Sequence, residues 1–100
     1  MVTLSVTRSR VADVLNAAAD GFDEEPWEPY LNPLLTAIDR AAGYTPGSGT
    51  PDAEAATLAA WELLAAHLGG WPGDWERKPE RQQDEIQAAL RGAAGKAVAS

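Results

Sequence analysis

Trp75-Glu76-Arg77-Lys78-Pro79-Glu80-Arg81-Gln82-Gln83-Asp84-Glu85-Ile86-Gln87-Ala88-Ala89-Leu90-Arg91 is the stretch whose reading decides the architecture. An aromatic residue enters a turn, and Pro79 then sets the backbone for a helix start. Behind the charged residues an apolar row begins: Ile86, Ala89 and Leu90, continued by Ala93 and Ala97. Spacings of three and four make this an amphipathic helix. Gly92 and Gly95 are expected to fray its end. The pattern organises the C-terminal element and names no reaction.

Working outward, the same grammar recurs. Val11, Val14, Leu15, Ala18 and Phe22 form a helical stripe, with Thr7 or Ser9 as candidate caps and Gly21 near the expected end. Residues 23–31 read as a loop, because Pro26 and Pro29 bracket Trp27 and disfavour helix at the residues before them. A second helix is expected from Asn32 as N-cap and Pro33 at the first position, presenting Leu34, Leu35, Ile38, Ala41 and Ala42 and stopping at Gly43. Residues 43–49 form a connector. Thr50-Pro51-Asp52 repeats the cap-then-proline start for a third helix, with Leu58, Trp61, Ala65 and Leu68 as its stripe and Leu64 beside it. That helix ends at Gly69-Gly70, and residues 69–78 read as a loop. Val2, Leu4 and Val6 alternate with polar residues, a pattern that fits either a strand or an extended arm over residues 1–7. The expected fold is mainly α: a compact bundle of about four short helices in a single domain, with an extended, possibly strand-like, N-terminal arm.

One hundred residues suffice for one domain with one core. The absence of cysteine excludes a disulfide framework, a thiolate metal site and a cysteine nucleophile. The first residues lack the long apolar stretch of a secretory signal, and no apolar run reaches the roughly 20 residues that span a bilayer. A cytoplasmic location without membrane association is therefore expected. The formal net charge is −7, and residues 23–54 hold seven acids (Asp23, Glu24, Glu25, Glu28, Asp39, Asp52, Glu54) against Arg40. Such a surface disfavours nucleic acid as a partner, since phosphate binding requires lysine and arginine. It keeps a small protein soluble, attracts a basic partner, or imitates nucleic acid.

Residues suited to catalysis are sparse. His67 is the sole histidine, and its place at the end of the third helix suggests contact with helix-end carbonyls. No metal-ligand spacing or phosphate-loop context is present, so neither metal nor cofactor is expected. The tryptophans carry more information. Trp61 fits a core stripe, whereas Trp27, Trp71 and Trp75 stand in loops, where they serve as lids over the core or as anchors for a partner. Arg77, Lys78 and Arg81 form a basic cluster at a helix start, a position that favours an anion. Arg81 and Glu85 are four apart in the weaker orientation for a helix pair, so either side chain is free to tie the helix to the preceding loop.

The spacing of Trp75, Pro79, Arg81, Glu85, Ile86, Leu90 and Arg91 resembles the ending of a family of small uncharacterised proteins from actinobacteria and their phages, a domain of unknown function. Weaker likeness extends to Val14-Leu15, Ala18-Ala19, Trp27 and residues 37–42. Glu76-Arg77 and Gln82 depart from the family pattern, which has an Asn-Asp pair and a threonine there. The resemblance implies an intracellular accessory protein and no defined activity.

Together these readings lead to a non-enzymatic, acidic protein-interaction module, with Trp27, Trp71, Trp75, Arg81 and Glu85 as candidate partner-binding residues. For a phage-borne chain the partner would be a host protein. The alternatives are a ligand- or anion-binding protein or enzyme using the Trp75–Glu85 region, and a DNA mimic built on the acids of residues 23–54.

Overall fold

In the computed structural model, which describes residues 7–99, five helices account for most of the chain. They are α1 (Arg8–Glu24), α2 (Leu34–Ala42), α3 (Pro51–Leu68), α4 (Pro72–Glu76) and α5 (Gln83–Ala99). The bundle is compact, with a radius of gyration of 12.9 Å, close to the ~13 Å expected for a packed chain of this length. The arm expected over residues 1–7 lies outside the described residues apart from Thr7. No strand forms among the described residues, and an isolated bridge joins Glu28 to Asn32.

Several helix ends follow from local chemistry. The Thr7 hydroxyl accepts from the Arg10 N–H and the Thr50 hydroxyl from the Ala53 N–H, each capping its helix. Gly43 and Gly69 close α2 and α3 in the left-handed conformation, which glycine adopts without steric penalty. Other ends depend on distant residues. Helix α1 runs past Gly21 to Glu24, burying Phe22, while the Gln83 amide of α5 donates to the Phe22 carbonyl. Gly92 and Gly95 lie within α5, where the burial of Ala93, Ala94 and Ala97 outweighs their weak helix propensity. The segment expected to be a loop over residues 69–78 contains the short α4.

Asn32 does not cap α2. Its side-chain amide donates to the Glu25 and Pro26 carbonyls, holding the α1–α2 loop, and the helix begins at Leu34 after Pro33. The cap comes from α4: Glu76 Oε2 accepts the Leu34 N–H at 2.7 Å.

The core is built from α1 and α5, which pack antiparallel. Leu15, Phe22, Ile86 and Leu90 are fully buried, as both apolar rows predict. Beside this seam runs a polar row on α5: Gln83, Gln87 and Arg91, four residues apart, reach the Phe22 and Ala19 carbonyls, Asp23 and Asp20 of α1. Leu34 and Ile38 of α2 complete the centre.

Helix α3 departs from its expected orientation. Its buried face is Ala53, Ala56, Thr57, Ala60 and Leu64; of the expected stripe, Trp61 and Leu68 pack against the core half-buried, while Leu58 turns outward. Small side chains let α3 approach the other helices closely, and Leu58 is left 53% exposed. Leu35 of α2, expected inside, is 48% exposed.

Candidate functional site

Turning bulky residues outward on α3 and α2 creates a cleft of about 390 Å³. One wall is Leu35 and Asp39 of α2, with Tyr44 and Pro46 of the following loop. Opposite stand Glu54, Thr57, Leu58 and Trp61 of α3, and Trp71 closes one end. The lining is mostly apolar, with a few placed polar groups, as expected of a binding cleft. Leu35, Leu58 and Trp71 are three of the six exposed large apolar residues among the described residues.

Close packing holds the shape. Trp71 meets Trp61 edge-to-face, with ring centroids 5.4 Å apart. A side chain at Gly73 would come within 2.9 Å of the Trp71 indole nitrogen, and one at Gly49 would collide with the Tyr44 ring. Glycine at both places lets the aromatic rings fold back along the cleft. The Thr57 hydroxyl, buried between α2 and α3, donates to Asp39 Oδ1 and orients that carboxylate.

The acids differ in their engagement. Within residues 23–54, Asp23 accepts from Gln87, Glu25 pairs with Arg40, and Asp52 lies 3.6 Å from Arg10. The Glu28 carboxylate accepts the Tyr30 and Leu31 N–H groups and Asp39 accepts from Thr57. Glu24 and Glu54 make no such contact among the described residues. Of these two, Glu54 lines the cleft.

The candidate residues taken from sequence fall into three places. Trp27 is half-buried against the core, and its indole N–H donates to Glu76 Oε2 at 2.8 Å. Its backbone N–H donates to Gln83 Oε1. Trp75 is half-buried under Arg81, whose guanidinium carbon lies 3.9 Å from the ring centroid. Arg81 also donates to the Trp75 carbonyl and to Glu85 Oε2. Glu85 reaches back to the Gln82 N–H, as one half of a capping box does. That backbone hydrogen bond, followed by Arg81, holds its carboxyl below the usual carboxylate range. Trp71 stands apart at the cleft, 58% exposed.

Glu76, which follows Trp75 and departs from the family pattern there, is 3% exposed. One oxygen serves both Trp27 and Leu34, joining α4 to the α1–α2 loop and the start of α2. Burial pushes its carboxyl above the ordinary range, against the lowering effect of these hydrogen bonds and of nearby Arg77.

His67 does not bond helix-end carbonyls. Its ring packs over Gly92 of α5, where any side chain would approach Nε2 within 2.8 Å, and Nδ1 is buried without a described partner. Burial first, and Lys96 second, lower its pKa. The unfolded chain therefore binds a proton more readily, and the stability tied to neutral His67 is full above the ordinary histidine value of about 6.5 and is lost as pH falls from there through the lowered native value. Thermal melts of the wild type and His67→Gln across this range are expected to show a weaker acid-side decline in the variant. Parallel curves would refute this.

Among the described residues no helix is long and apolar enough to cross a membrane, and no group of three or more acids or histidines is arranged to hold a metal ion. Fold and cleft together define a small helical protein with an open apolar groove edged by carboxylates. The chain belongs to the family of unknown function DUF6197, which matches residues 32–96, from the end of the α1–α2 loop into the last turns of α5. Neither the curated proteins nor the solved structures gave a match.

Proposed function

We propose that this chain is a small acidic protein-interaction module that receives a segment of a partner protein in the cleft between α2 and α3. The gathering of Leu35, Leu58 and Trp71 around one cleft carries this reading. Exposed apolar side chains grouped in this way mark interaction surfaces, whereas scattered ones do not. The likeness to small actinobacterial and phage proteins extends the proposal: the module acts inside the cell, and one carried by a phage would engage a host protein.

Of the residues taken from sequence, Trp71 remains in this reading. Anion binding or catalysis at Trp75–Glu85 has weaker support, because Arg81 is already engaged by Glu85, the Trp75 carbonyl and the Trp75 ring. DNA mimicry is weaker too, because most acids of residues 23–54 are bound to neighbours within the molecule.

Affinity capture from a bacterial lysate, beginning with an actinobacterial one, tests the proposal. The wild type is expected to retain a specific protein that Leu35→Ser/Leu58→Ser loses. Tyr30→Ser/Leu31→Ser, altering the other exposed apolar pair, is expected to keep it. Failure of the wild type to retain any specific protein at low salt would count against a partner. Equal retention by the Leu35/Leu58 variant would place the interface elsewhere.

A further inference from the structure

Resting on the cleft as the binding face, we infer that its occupant is an amphipathic helix of a partner protein whose apolar row is flanked by lysine or arginine. The helical form follows from the walls. Leu35 and Asp39 are one turn apart on α2, while Glu54, Leu58 and Trp61 span two turns of α3 in line. With Leu58 and Trp61 on α3 facing Leu35 on α2, the two neighbouring helices present an apolar groove into which a third packs its own row.

The basic character follows from the charges. Asp39 and Glu54 are the charged residues of the lining. Glu54 has no internal partner among the described residues, and Asp39 uses one oxygen for Thr57. Glu62, one turn beyond Leu58, adds an exposed carboxylate with no described partner. The closest base on α2, Arg40, lines a neighbouring hollow beside Tyr44 and is held 2.8 Å from Glu25. A lysine or arginine would find carboxylates to neutralise and the exposed Trp71 face on which to lay its stem and charge. An acidic helix would meet these like charges, while Arg40 and Arg77, the latter beside Trp71, are already drawn to Glu25 and Asp74.

The test uses three labelled synthetic helical peptides with the same leucine row, flanked by lysine, glutamine or glutamate. Binding to the full chain is read by fluorescence anisotropy at low and moderate salt. The lysine peptide is expected to bind roughly tenfold more tightly than the glutamine peptide, with the glutamate peptide weakest and the lysine advantage shrinking with salt. Glu54→Gln/Glu62→Gln is expected to remove most of that advantage, and Leu58→Ser to weaken all three peptides.

Equal binding of the lysine and glutamine peptides, or a preference untouched by Glu54→Gln/Glu62→Gln, overturns the basic partner. The cleft reading survives that result if Leu58→Ser still weakens binding. A lysine preference unaffected by Leu35→Ser and Leu58→Ser means that the peptide is held elsewhere, and both readings fail. Absence of binding by the lysine peptide also overturns the basic helix, leaving the cleft to the lysate experiment.

Discussion

Glu76→Ala is expected to lower the unfolding free energy by about 3 kcal/mol, because it leaves the buried Leu34 N–H and the Trp27 indole N–H without their acceptor. For a domain of this size that corresponds to a fall in melting temperature of roughly 15 °C. The damage begins at the start of α2, which has no local side-chain cap. Glu76→Gln behaves differently. Its amide oxygen accepts the same two hydrogen bonds and carries no charge, so the fold is retained. Burial raises the native carboxyl, so the folded state binds its proton more readily than the unfolded chain. The stability linked to this group is therefore greatest below the ordinary carboxylate pKa and declines as pH rises through the raised native value. Replacing the carboxyl with an amide removes that decline. Chemical denaturation of the three proteins at several pH values checks both statements. An alanine variant as stable as the wild type, or a glutamine variant with an unchanged pH slope, would contradict them.

Ala60→Leu is expected to destabilise the protein by about 2–3 kcal/mol, since Ala60 is fully buried where α3 meets the bundle and added methylenes must push helices apart. Leu58→Ser, on the opposite side of the same helix, is expected to cost under about 1 kcal/mol, most of it helix propensity. On the orientation expected from sequence, Leu58 would be a core residue and its loss would be severe. Urea melts of the two variants therefore report directly which face of α3 points inward. A severe loss in Leu58→Ser would overturn the assignment, and with it the cleft.

Helix α3 shows why periodicity was insufficient. Its apolar residues occur on nearly every side: alanines on one, Leu58, Trp61 and Leu68 on another, and Leu63 on a third. Residue size suggested the bulky stripe for the core, but close packing against four other helices favours the small one. Helices α1 and α5 were legible because each carries one apolar row between polar flanks. The candidate binding residues were partly legible. Trp71 stands at the cleft, but Leu35, Glu54 and Leu58 gave no signal beyond ordinary helix composition. Trp27 and Trp75 share the loop chemistry of Trp71, yet each is held by a hydrogen-bonding or stacking partner distant in the chain or supplied by the next turn.

The Trp75–Arg91 stretch thus proves to be a structural device in its best-defined contacts: Arg81 clamps Trp75, Glu85 starts α5, and Glu76 starts α2. By itself the sequence determined the helical class, most helix stops, the rows of α1 and α5, and the acidic balance, because these depend on residue type and on neighbours within a turn or two. Tertiary structure alone decided which face of α3 is buried, which tryptophan stays exposed, where the cap of α2 originates and which carboxylate is left unengaged. Those outcomes depend on which groups meet across the bundle; the Glu76 carboxylate and the Leu34 amide it caps are 42 residues apart.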